Sequence, residues 1–210
     1  TFAAVTSTTI NSNTNNYLIT GTGTADTLQG ESNLQFDGAH LTQAIQADAV
    51  GFDQTASGNH YIDNIWNANR TSAGSAIGRL TGQWNGTEVA SIKYIAGADT
   101  TNKDDAHITF NTATSGSSND ERARIDSEGR LIIGHTEART VNAQKHRLHL
   151  IGTTYATSGL SQQRYQAGAS GASIILSHSR NDTIGNQGAL QSDDELGKIR
   201  FVGSDGVDLE

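Results

Sequence analysis

Carboxylates have the widest chemical reach in this sequence. Asp104-Asp105, Asp120-Glu121 and the run Asp193-Asp194-Glu195 each place acids side by side. Two carboxyl groups held at a fixed separation can serve as acid and base on a glycosidic bond, the chemistry of a polysaccharide-degrading enzyme. Adjacency in sequence does not set that separation. These acids stand beside glycine and asparagine in turn-like stretches, where such side chains are solvated. No Gly-x-Ser-x-Gly elbow and no phosphate-cradling glycine loop accompanies them, so no catalysis is expected.

Metal chemistry has two candidates. His146 and His149 could supply ligands to an ion on a symmetry axis, but histidines three apart on a strand point to opposite faces. Gly21-Thr22-Gly23-Thr24-Ala25-Asp26-Thr27-Leu28 has the spacing of a single turn of calcium-binding nonapeptide repeats. Such sites need several successive turns, so an ordinary Gly/Thr turn and no cofactor are expected. Tyr61, Trp66, Trp84 and Tyr94 are among the scarce large aromatics; they either stack on sugar rings as glycan contacts or fill the core. Glu121 with Arg122 or Arg124 makes a structural ion pair worth at most about 1 kcal/mol on a solvated surface.

The elements that must position these residues are short strands. Only 34% of the 210 residues are hydrophobic and 6% aromatic, too few for one thick core. Gly is frequent while Pro, Cys and Met are absent, which suits strands joined by polar turns and excludes disulfides and thiolate sites. A net charge of -8 argues against binding a nucleic-acid backbone, and no apolar run is long enough for a membrane-spanning helix. Period-2 alternation marks strands at Ile92/Tyr94, Ile108/Phe110, Leu148/Leu150 and Ile199/Phe201. Tyr17–Thr20 is a further strand, and Gly21–Gly30 a glycine-spaced turn. Leu41–Phe52 fits helix and extended chain equally. Hairpins are expected at Asp126-Ser127-Glu128-Gly129, where Gly129 can take positive φ, and at Asp37-Gly38.

The sequence also repeats. Ala56-Ser57-Gly58 returns as Ala169-Ser170-Gly171, each leading into a strand and an arginine-containing polar turn. Ile77-Gly78-Arg79-Leu80 returns as Leu196-Gly197-Lys198-Ile199, and Asn85-Gly86-Thr87-Glu88 as Asp205-Gly206-Val207-Asp208. The order is preserved over a module of more than a hundred residues. Residues 1–44 are expected to form a linker, a strand and the first hairpin, 45–140 a first β module closed by Glu121–Gly134, and 141–210 a second that breaks off early. The natural protein is expected to continue with a strand resembling Ala90–Ile95.

Glu121-Arg122-Ala123-Arg124-Ile125-Asp126-Ser127-Glu128-Gly129-Arg130 with Ile133-Gly134, Ser179-Arg180, and the run from Asp193 to Gly206 resemble a known family. They are similar to the modular tail fibres and related virion fibres of bacteriophages, especially those of cyanobacteria and other marine bacteria. Tyr17–Gly38, ending Asn33-Leu34-Gln35-Phe36-Asp37-Gly38, resembles the opening segment of such fibres. The resemblance implies an all-β homotrimeric fibre segment without chemistry of its own, located in the virion after assembly in the host cytoplasm. Its implied partners are other copies of the chain, other tail or baseplate proteins and a host cell-surface receptor. Intertwined copies would bury sparse apolar faces against one another. The competing functions are a polysaccharide-degrading tailspike and a calcium-dependent bacterial adhesin.

Overall fold

The structure is a computed structural model that describes residues 9–11, 17–21, 27–37, 39–43, 45, 52–58, 61–206 and 209. The chain is all-β and divides into two compact units, Thr1–Asn64 and Ile65–Glu210. This division falls inside the span 45–140 that the sequence reads as one module.

The first unit contains β1 (Thr9–Asn11), β2 (Tyr17–Gly21), β3 (Thr27–Phe36) and β4 (Leu41–Gln43). The long β3 pairs in parallel with β1 and antiparallel with both β2 and β4. Thr27–Gly30 is therefore strand, not turn: Leu28–Gly30 pairs with Ile19–Gly21. The first hairpin is present, with Phe36 opposite Leu41. Asp37 closes it by accepting the amides of Ala39 at 2.8 Å and His40 at 2.6 Å. Those backbone bonds, His40 first, draw its pKa down to about 2. Of the two readings open for Leu41–Phe52, the extended one holds at Leu41–Gln43, where the reversed chain meets Phe36 and a ladder outweighs a weak local preference. Residue 44 and residues 46–51 lie outside the described residues.

The second unit carries a six-stranded sheet: β5 (Ala76–Trp84), β6 (Thr87–Ala96), β7 (Ala106–Ala113), β8 (Asn119–Ile125), β9 (Leu131–Ile133) and β10 (Leu148–Leu150). Spatial order follows chain order, antiparallel throughout except for the parallel β9–β10 pair. Asn85 and Gly86, at φ 48° and 81°, make the tight two-residue turn between β5 and β6 whose twist matches the strands. At the β8–β9 hairpin Asp126 accepts the amides of Glu128 at 3.1 Å and Arg130 at 2.9 Å, and Gly129 takes φ 74°. A single helical turn, α1 (Tyr155–Ser158), follows with a capping box between Thr154 and Thr157.

Two expected strands are not formed. Tyr61–Trp66 and Ile199–Phe201 have irregular backbone. A strand needs a partner for its amides and carbonyls, and neither stretch meets one among the described residues.

Candidate interaction surface

The register of the six-stranded sheet sorts its side chains into two contrasting faces. One cross-strand row runs Tyr94, Ile108, Ile125, Leu131, Leu148, and the next runs Leu80, Ile92, Phe110, Ala123, Ile133, Leu150. Nearly every member is a large apolar residue. Yet Leu80 is 53% exposed, and Phe110, Ile125, Leu131, Ile133 and Leu148 are exposed as well.

The opposite face is polar and, inward of the exposed β5 edge that carries Arg79, covered. Its central row is Arg79, Lys93, Thr109, Arg124, Ile132, His149, in which Thr109 keeps only 2% of its surface and Ile132 and His149 are buried. Two bulges help to build this face. Gln83 and Gly82 pair with Glu88 and Ala90, so Val89 is the extra residue and Glu88 turns to the polar side. Asn111 and Phe110 pair with Glu121 and Ala123, so Arg122 is extra and Glu121 comes onto the side of Arg124.

Each displaced acid then anchors a network. Glu88 receives the Asn119 amide at 2.6 Å, the Ser91 hydroxyl at 3.2 Å and the Arg79 guanidinium at 2.9 Å. The Asn119 bond most of all, with Ser91, Arg79 and Lys93, holds its pKa below the usual carboxylate range. Glu121 accepts from both Nε and Nη2 of Arg124, at 2.6 and 2.8 Å, so the expected ion pair forms with Arg124. Arg122 instead donates to the Thr112 carbonyl.

Of the aromatic candidates in the second unit, only two meet. Trp66 and Tyr94 meet with ring centroids 5.3 Å apart, and Trp66 lies over Gly78 so closely that a Cβ there would come 2.7 Å from its own. Gly78 is opposite Tyr94, so the Trp66 ring extends the first apolar row where β5 offers no side chain. Trp84, 80% exposed, stands at the far end of β5, about 20 Å along the strand from Gly78. Tyr61, 86% exposed, belongs to the first unit.

Most of the candidate carboxylates are committed to turns or cations. Asp105 accepts the amides of Ala98 and Asp99, Asp120 the Ser118 hydroxyl, and Asp194 the Gln191 amide with Arg180 at 3.3 Å. Glu195 pairs with Lys198 at 2.6 Å, while Asp193 takes φ 70° and Asp104 is exposed. The histidines depart from the expected opposition: their ring centroids lie 6.4 Å apart, because His146 precedes β10 and strand alternation does not govern it. Among the described residues no three His, Asp or Glu side chains are placed to share a metal ion. The stretch weighed as a calcium turn and read as an ordinary Gly/Thr turn centres on residues 22–26, outside the described residues.

Among the described residues no helix is long and apolar enough to cross a membrane. No family model, curated protein or solved structure matches the chain. Alternation in the sequence had marked Ile92, Tyr94, Ile108, Phe110, Leu148 and Leu150 as apolar strand positions. It did not reveal that the rows continue through Ile125, Leu131 and Ile133, which required the register.

Proposed function

We propose that the chain is a structural segment of a bacteriophage fibre, assembled as a homotrimer, that supports and displays receptor-binding surfaces for host attachment. One observation carries this reading: the sheet keeps its polar face covered and leaves its apolar face open. Six strands at about 4.8 Å spacing give a patch roughly 25 Å across, at the upper end of what a soluble monomer exposes. Ile132 and Ala138 are the only buried hydrophobic residues among those described, so each copy lacks a core of its own. Three copies turning these faces toward a common axis would supply one. The resemblance of Glu121–Gly134 and Asp193–Gly206 to virion fibres gives the context, with the virion as location and other tail proteins and a host receptor as partners. The role is mechanical support and multivalent display, without catalysis.

Light scattering over a dilution series tests the proposal. A stable particle of three times the 22.2 kDa chain mass is expected. Replacing Phe110 and Ile133 by glutamate should dissociate it. A folded monomer of the parent chain would overturn the reading, and a stable dimer would keep the covered face but remove the trimeric fibre.

A further inference from the structure

A cleft of about 400 Å³ opens beside the start of β5, between residues 67–70 and the β6–β7 loop at 97–105. Its volume is at the small end of ligand pockets. Two carboxylates line it, but both are engaged by the loop. Asp105 folds under Gly97, where any Cβ would lie 2.2 Å from its carboxyl group, and accepts the amides of Ala98 at 2.8 Å and Asp99 at 3.1 Å. Asp99 accepts the amides of Asn102 and Thr101, each at 2.9 Å, and the Asn102 side chain at 2.9 Å. Those bonds, Asn102 first, hold it below its ordinary pKa.

The cations of the cleft are differently placed. Arg70 donates through Nε to the Ala76 carbonyl at 2.6 Å, which fixes the guanidinium while its two terminal nitrogens bond no described residue. Lys103, held at φ 60°, donates its ammonium to the Asn69 side-chain oxygen. Neither cation forms an ion pair with a described residue. A fixed guanidinium fork with free ends is a carboxylate receptor, and a second cation from another loop adds charge to the same space. Asn67 and Thr100 add amide and hydroxyl groups suited to sugar hydroxyls, while Ile77 and Ala96 give an apolar wall for a sugar's C–H face.

We infer that this cleft binds a carboxylate-bearing sugar, a uronic-acid unit of an acidic polysaccharide, with Arg70 and Lys103 as the anion-recognising residues. This site is distinct from the apolar sheet face and goes beyond the fibre reading, although host attachment would give it a use.

Calorimetric titration of the full chain with trigalacturonate, neutral galactotriose and inorganic phosphate tests the inference. Trigalacturonate should bind at least about tenfold more tightly than galactotriose and weaken as salt rises. Arg70→Ala should lower its affinity about tenfold or more. Lys103→Gly should lower it severalfold without loss of thermal stability, because glycine suits the left-handed backbone there. That second variant decides the matter if Arg70→Ala fails to fold. Equal binding of the neutral sugar, equal binding of phosphate, unaltered affinity in the variants, or no binding of trigalacturonate would each overturn the assignment. The particle mass is read separately: binding by a monomer would remove the fibre reading and keep the cleft, whereas a trimer that ignores uronate would do the reverse.

Discussion

Two stretches with the same pattern end in different states. Ile77-Gly78-Arg79-Leu80 lies within β5, whereas Leu196-Gly197-Lys198-Ile199 has irregular backbone. Their surroundings are nonetheless alike. Trp66 covers Gly78, and Leu176 covers Gly197, where an added Cβ would lie 2.4 Å from the leucine Cβ. Four residues after each large side chain comes an arginine that reaches the flank of the pattern: Arg70 to the Ala76 carbonyl at 2.6 Å, Arg180 to Asp194 at 3.3 Å. What differs is the ladder: β5 bonds along its length to β6, whereas 196–199 pairs with no strand among the described residues. Side-chain docking thus follows the local pattern, and strand formation follows the availability of a partner backbone.

Supplying that partner should produce the largest effect. Appending the Ser91–Ala96 sequence after Glu210, which continues the 120-residue register, is expected to slow amide hydrogen exchange across 196–204 on the order of a hundredfold. Unchanged exchange there would break the explanation. Next in size are the glycines. Gly78→Ala should cost about 1–3 kcal/mol in denaturant unfolding, because Trp66 and the paired strand leave the new methyl no room. Gly197→Ala should cost less than about 1 kcal/mol, since Leu176 and an unladdered backbone can shift. Equal costs would mean that both segments are equally fixed.

Acid unfolding sharpens the contrast further. Burial raises the Asp126 pKa, but the Arg130 amide and guanidinium outweigh it and leave the group below its ordinary 3.8. Its contribution is therefore complete above 3.8 and lost as pH falls through the lower native value. Asp126→Asn should reduce stability at neutral pH by about 1.5–3 kcal/mol and flatten the acid limb of a stability–pH curve. Glu195 is also held below its ordinary range, by the Lys198 hydrogen bond first. Being solvated, it should matter little, and Glu195→Gln should leave the acid limb in place.

The fold class was legible because strands and turns write local rules into sequence. Gly129 stands where positive φ is needed, and Asp126 and Asp37 where amides must be capped. Alternation at Ile92/Tyr94, Ile108/Phe110 and Leu148/Leu150 gave three strands outright. Ile199/Phe201 shows the same alternation and forms no strand, since period 2 reports which side chains would share a face and not whether a neighbour exists. The bulges at Val89 and Arg122, which move Glu88 and Glu121 to the polar face, come from pairing counts between distant segments and have no local signature. Arg70 and Lys103 were passed over for the same reason. They lie 33 positions apart and meet one cleft only because β5 and β6 bring their loops together.

The smallest expected effect concerns the arginine shared by the two copies. Arg180 bonds Asp194 from a position that is partly exposed, so solvent screening leaves the pair worth less than about 1 kcal/mol. Arg180→Ala should therefore shift the unfolding midpoint only slightly. Arg70→Ala removes a bond to a backbone carbonyl at the entry to β5, and its stability cost should be similarly small, about 1 kcal/mol, because water can take over that exposed acceptor. The two variants should differ in place more than in size. Arg70→Ala should loosen amide exchange at the start of β5, where Gly74 and Ser75 bond Ala96, and Arg180→Ala should leave that region unchanged. If Arg180→Ala instead loosened the β5 end, the two copies would be mechanically coupled, and the partner strand would no longer be a sufficient account of their difference.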